Sequence, residues 1–139
     1  MEEITVTWHK NPKVIVENQY IPTLCCAIFN LKSDIKSISF DNCLIEDIQE
    51  ECFSEKVANV TTNIEIFNNK LTSIKKDTFR NLKVQDIYLK NNLIEVIEDD
   101  SFLNLTELIY LDLSFNKVRT LKIRSLDEYT KLWSFNFAI

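Results

Sequence analysis

The 139-residue chain is 45% hydrophobic, carries a formal net charge of −5 and contains no glycine. An acidic balance argues against a nucleic-acid partner, because phosphate binding needs clustered lysine and arginine. The missing glycine excludes phosphate loops, dinucleotide-binding turns and nucleophile elbows in standard form, since their backbones must turn tightly or approach a phosphate.

The length fits one domain. No apolar run reaches the roughly 18 residues that span a bilayer; the best candidate, Tyr20 to Leu31, is too short and holds Pro22 and Asn30. The chain begins Met1-Glu2-Glu3, acidic where a secretory leader is basic.

Residues 1–34 form the first segment. Ile4, Val6 and Trp8 alternate with Thr5 and Thr7, His9 to Lys13 reads as a turn around Pro12, and Val14 and Val16 alternate again. This pattern predicts a β-hairpin outside any repeat, placed to cap the open end of a stack of repeats.

From Ile35 a pattern recurs, with units starting at Ile35, Thr61, Val84 and Leu108 and a fifth beginning at Leu132. Counting slots from each start, the fourth holds Ile38, Ile64, Ile87 and Leu111, and the sixth holds Phe40, Ile66, Leu89 and Leu113. The eleventh holds Ile45, Leu71, Ile94 and Val118, and the fourteenth Ile48, Ile74, Ile97 and Leu121. Thr61 alone breaks the apolar set. Slots four and six alternate with polar residues, as a strand with one buried face must. The ninth slot holds Cys43, Asn69, Asn92 and Asn116. An inward asparagine is tolerable only if it bonds to backbone left open by the turn, because an unsatisfied buried amide costs roughly 1–3 kcal/mol. The nineteenth holds Phe53, Phe79, Phe102 and Leu126, enough for a second apolar spine at the back of the coil.

The segments Val84 to Ile94 and Leu108 to Val118 meet the pattern L-x-x-L-x-L-x-x-N/C-x-L. The chain therefore resembles the leucine-rich-repeat family. Its period and its phenylalanine spine look like the 24-residue extracellular subclass, shared by Toll-type receptor ectodomains and insect secreted repeat proteins. The resemblance implies an α/β solenoid, a short arc with a parallel concave sheet and an irregular or partly helical convex side. Residues 1–34 would be the cap, and residues 35–139 four full units and a partial fifth. The resemblance departs in the first unit, where spacing stretches to 26, and at Tyr129, which stands where the family has leucine.

Chemistry-bearing residues are few. Cys25, Cys26, Cys43 and Cys52 fall in the cap and first unit. One reading pairs Cys25 or Cys26 with Cys43 or Cys52 as disulfides in an oxidising compartment; the other leaves buried thiols, Cys43 standing where the repeat accepts cysteine. No C-x-x-C spacing exists and His9 is the lone histidine, so neither a metal nor a cofactor is expected. Asn59-Val60-Thr61 and Asn104-Leu105-Thr106 are glycosylation sequons, Asn104 the better placed. Glu98-Asp99-Asp100 reads as a solvated loop.

The outward strand positions are the candidate binding residues. Glu65, Phe67, Tyr88, Lys90, Tyr110, Asp112 and Phe115 fall on neighbouring strands about 4.8 Å apart. They predict one aromatic patch among charges, the composition of a protein-binding hot spot. The expectation is a non-catalytic module that binds a protein ligand; the family resemblance, and not the spacing, implies that it is extracellular or at the cell surface, part of a longer receptor, in an innate-immune or adhesion setting. The competing expectation is an assembly protein whose apolar end, Leu132, Trp133, Phe135, Phe137 and Ile139, joins it into a homodimer.

Overall fold

The structure, a computed structural model, describes residues 7–8, 13–24, 35–50, 52–53, 60–121 and 134–136. Strands β2 (Lys13–Glu17), β4 (Ser37–Asp41), β6 (Asn63–Phe67), β8 (Asp86–Tyr88), β10 (Tyr110–Asp112) and β12 (Ser134–Asn136) lie side by side in one parallel sheet. Strand β1 (Thr7–Trp8) joins its edge antiparallel to β2. After each long strand from β2 to β10 comes a two-residue strand: β3 (Thr23–Leu24), β5 (Asp47–Ile48), β7 (Ser73–Ile74), β9 (Val96–Ile97) and β11 (Thr120–Leu121). β3 pairs with β5, and β9 lies between β7 and β11. The chain is thus a parallel-strand solenoid.

Period and register explain this. Ile38, Ile64, Ile87 and Leu111 are successive partners across the large sheet. Each points into the coil, and all four are fully buried. Phe40, Ile66, Leu89 and Leu113 form the next buried row, and the short strands add Ile48, Ile74 and Ile97. Phe53, Phe79 and Phe102 stack along the back, with ring centroids 5.3 and 5.4 Å apart.

The buried asparagines splice one turn to the next. Asn69 Oδ1 accepts the N–H groups of Cys43 (2.8 Å) and Ile45 (3.3 Å), while its Nδ2 donates to the carbonyls of Phe40 (3.0 Å) and Phe67 (2.9 Å). Asn92 accepts from Leu71 N–H and donates to Ile66 and Leu89 carbonyls. Asn116 accepts from Ile94 N–H and donates to Leu89 and Leu113 carbonyls. A buried amide with both ends satisfied fixes the register instead of weakening the core.

On the convex side no helix occurs among the described residues, which are irregular there apart from the two-residue strands, so the partly helical alternative is not supported. A helix needs each N–H to reach back four residues. Here the N–H groups of Asp77, Phe79 and Asn81 donate instead to Asp100, Ser101 and Leu103 in the next turn. Asp77, Asn81, Asp100 and Asn104 also adopt positive φ, which interrupts any helix. Strand β2, which pairs antiparallel with β1, also continues the parallel sheet, so residues 13–24 take positions equivalent to those of the repeat. Val14 and Val16 pair with Ile38 and Phe40, Leu24 pairs with Ile48, and Val14, Val16, Ile21 and Leu24 are all buried. Leu132, Trp133, Phe137 and Ile139, on which the assembly reading rests, lie outside the described residues, as does His9.

With no glycine, the chain needs other residues for its left-handed turns. Among the described residues, positive φ falls on Asn18, Asn42, Asn68, Asp77, Asn81, Asn91, Asp100 and Asn104, and otherwise only on Leu44 and Phe115. Asparagine and aspartate tolerate this region because their short polar side chains bond locally; a bulky apolar residue there is an outlier.

Candidate functional site

The open face of the large sheet is built by β6, β8 and β10. In one row Glu65 pairs with Tyr88 and Tyr88 with Asp112; in the row beside it Asn63 pairs with Asp86 and Asp86 with Tyr110. On β8 and β10 the two tyrosines therefore occupy one diagonal of a square and the two aspartates the other. The tyrosine rings meet, with centroids 5.2 Å apart and planes inclined by 39°. Both rings are half-buried, which leaves part of each aromatic surface open to solvent.

The charges around them are uneven. Glu65 is half-buried, and Asn63 Nδ2 donates to its Oε1 at 2.9 Å. Asp86 is half-buried, and burial pushes its carboxyl above the ordinary aspartate range. The Tyr88 hydroxyl is pushed up as well, first by burial and then by the charges of Asp86, Tyr110, Glu65 and Asp112. Asp112 differs from expectation: it is only 7% exposed. Its Oδ1 accepts from Ser114 N–H at 2.9 Å and from the Ser114 hydroxyl at 2.5 Å, so it shapes the end of β10 instead of presenting a free charge.

Lys90 and Phe115 form a second group. The Lys90 ammonium lies 5.3 Å from the centroid of the Phe115 ring, a cation–π contact. Phe115 is 57% exposed and sits at φ 55°. Asn18, Asn42, Asn68 and Asn91 hold the equivalent place in the preceding turns, all at positive φ. Three of these side-chain amides donate along the edge of the sheet at 2.8 Å: Asn42 to Asn18, Asn68 to Asp41, and Asn91 to Asn68. Phe115 ends this ladder and puts an exposed ring in its place. Phe67 is half-buried beside Asp41 and makes no ring contact with the tyrosines among the described residues. The single aromatic patch expected from sequence is thus a tyrosine pair, a Lys90–Phe115 pair and a separate Phe67.

Cys43 is a buried thiol and not half of a disulfide. Its Sγ–H faces the carbonyls of Asp41 (3.4 Å) and Val16 (3.5 Å), doing in its turn part of what asparagine does in later ones. Burial pushes the thiol up, against hydrogen bonds that lower it. Cys52 is buried, and Cys25 and Cys26 lie outside the described residues. So does Asn59, whereas Asn104 is exposed and its Nδ2 donates to Asn81 Oδ1 at 3.0 Å. Among the described residues no group of His, Cys, Asp or Glu could hold a metal ion, and no helix is long and apolar enough to cross a membrane.

A solenoid of parallel strands with its side chains displayed on one open sheet defines a repeat protein built to present a surface. The chain belongs to the leucine-rich-repeat family: the family model for the leucine rich repeat matches residues 59–118 and 83–137, together more than half of its length. Domains of this family generally mediate protein–protein interaction and are typically non-catalytic. No curated protein matches the chain.

Proposed function

We propose that this protein is a non-catalytic recognition module that binds a protein ligand on the face formed by β6, β8 and β10, which is the concave face in the family. Phe115 carries the reading. A phenylalanine held at positive φ, mostly exposed, in a place four earlier turns give to asparagine, costs stability without filling the core. Local strain of this kind collects at functional sites. Beside it, the tyrosine pair offers large rigid rings whose ordering on binding costs little conformational entropy.

An extracellular or cell-surface setting, within a longer receptor of the 24-residue subclass, is part of the proposal; the repeat period and the exposed sequon at Asn104 support it. The test is capture from the source cells on immobilised protein. Tyr88→Ala combined with Tyr110→Ala, at half-exposed positions, is expected to abolish capture of the partner while leaving the unfolding midpoint close to that of the wild type. A partner retained at full strength by the double variant would remove the site from this face.

A further inference from the structure

The face has a charge pattern that selects the kind of partner. Among the described residues its outward strand positions carry the carboxylates of Glu17, Asp41, Glu65, Asp86 and Asp112 against the ammonium group of Lys13, with Lys90 two residues past the end of β8. Neither lysine neutralises the centre. Lys13 sits on β2, three strands away from β8 in the sheet, or about 14 Å at the usual strand spacing. Lys90 is turned to the Phe115 ring. Asp112 is bound to Ser114, and Asn63 supplies Glu65 with one neutral donor. The Asp86 carboxylate has no ion-pair or hydrogen-bond partner among the described residues, although the residue is half-buried between the tyrosine positions.

The other observation is the tyrosine pair itself. Its two rings lie against each other at 39°, and both are half-buried, so each keeps part of its aromatic surface open above β8 and β10. The negative face of an aromatic ring attracts a cation, and a guanidinium attracts it with a flat surface that stacks as well. Carboxylates at the edge of the same rings then accept its N–H groups, in the planar geometry that favours arginine over lysine.

We infer that the partner docks through a basic segment, with an arginine side chain stacked on Tyr88 and Tyr110 and hydrogen-bonded to Asp86, and with Glu65 beside it. The inference rests on the reading of this face as the protein-binding site and deepens it. A cationic segment supplies the charge that the face lacks, and it brings the least hydrated of the common cationic side chains to a place where Asp86 is already partly desolvated. An acidic or neutral apolar segment would leave Asp86 further buried and unpaired, which is the more costly arrangement.

The probe is a synthetic peptide, acetyl-Gly-Arg-Gly-Arg-Gly-amide, titrated into the isotope-labelled protein while backbone amide shifts are followed. The control replaces each arginine by citrulline, which keeps the planar shape but removes the charge and puts a carbonyl acceptor in place of one NH2 donor. The expected result is shifts centred on residues 86–88 and 110–112, with affinity at least tenfold weaker for the citrulline peptide. Asp86→Asn should weaken the arginine peptide tenfold or more. Glu95→Gln, at an exposed position off this face, should change it less than twofold. Equal affinity for the two peptides, or shifts centred on the acidic loop at residues 98–100, would overturn the inference. Neither outcome touches the broader reading of the face, which fails only if the Tyr88→Ala, Tyr110→Ala double variant still captures its cellular partner.

Discussion

Replacing Phe115 by asparagine should make the protein more stable and a poorer binder. A side chain with a Cβ costs on the order of 1–2 kcal/mol in the left-handed region, and asparagine escapes much of this through local hydrogen bonding. An asparagine at 115 would also extend the edge ladder, donating to Asn91 Oδ1 as Asn91 now donates to Asn68; one such bond contributes about 1 kcal/mol. Against these stand the Lys90 contact, about 0.5 kcal/mol at an exposed site, and the apolar area that the ring buries. Because Phe115 is 57% exposed, that area is worth less than half of the roughly 1.5–3 kcal/mol of a fully buried phenylalanine. The balance favours asparagine by about 1 kcal/mol, enough to raise Tm by about 4 °C in a domain of this size. Phe115→Ala keeps the left-handed cost and loses the contacts, so the order of stability is Asn, then Phe, then Ala. Urea unfolding followed by circular dichroism reads the order directly. An asparagine variant no more stable than the wild type would refute the view of Phe115 as a strained residue kept for its exposed ring.

Asn92→Ala removes a side chain that satisfies Leu71 N–H and the carbonyls of Ile66 and Leu89. The Leu89 carbonyl keeps the Asn116 amide; each of the other two buried groups left unpaired costs about 1–3 kcal/mol, so a loss on the order of 2 kcal/mol or more is expected in urea unfolding, and a loss below 1 kcal/mol would contradict the splice. Asp86→Asn should stabilise the fold near neutral pH. A carboxyl whose folded pKa is raised gives its stabilisation in full only below the unfolded value, near 3.9, and loses it as pH rises through the folded value. The advantage of the asparagine variant is therefore greatest at neutral pH and shrinks below about pH 4; an advantage that grew in acid would reverse the sign of the Asp86 shift. For the proposed extracellular setting, the native protein from its source tissue should lose mass on N-glycosidase treatment, and a product of unchanged mass would count against it.

The solenoid is legible in the sequence because its signal is repeated: the rows through Ile38, Ile64, Ile87 and Leu111 and through Phe40, Ile66, Leu89 and Leu113 appear in the chain as they do in the sheet. The turn at residues 13–24 is hidden because Asn11 and Gln19 stand where later units have an apolar residue and asparagine, although Val14, Val16, Ile21 and Leu24 keep the 24-residue offset from Ile38, Phe40, Ile45 and Ile48. The back of the coil depends on hydrogen bonds between turns, which no local propensity records.

At the site, sequence places the strand positions but not the direction of each charge. Asp112 reads as a surface carboxylate, yet Ser114 two residues on is the sign that it folds back onto its own backbone. The pairs Asn68-Asn69 and Asn91-Asn92 carry a second signal. The latter of each pair enters the core and the former takes the left-handed turn, so the dipeptide Phe115-Asn116 marks the one turn that breaks the rule.

The central claim is that the partner sits on the face of β6, β8 and β10. It is tested most directly by placing a benzophenone-bearing amino acid at position 110 in one sample and at position 76, on the back of the coil, in another, then irradiating each with the captured partner. The account predicts a covalent adduct from position 110 and none from position 76. Crosslinking from position 76 alone would move recognition to the opposite side of the solenoid.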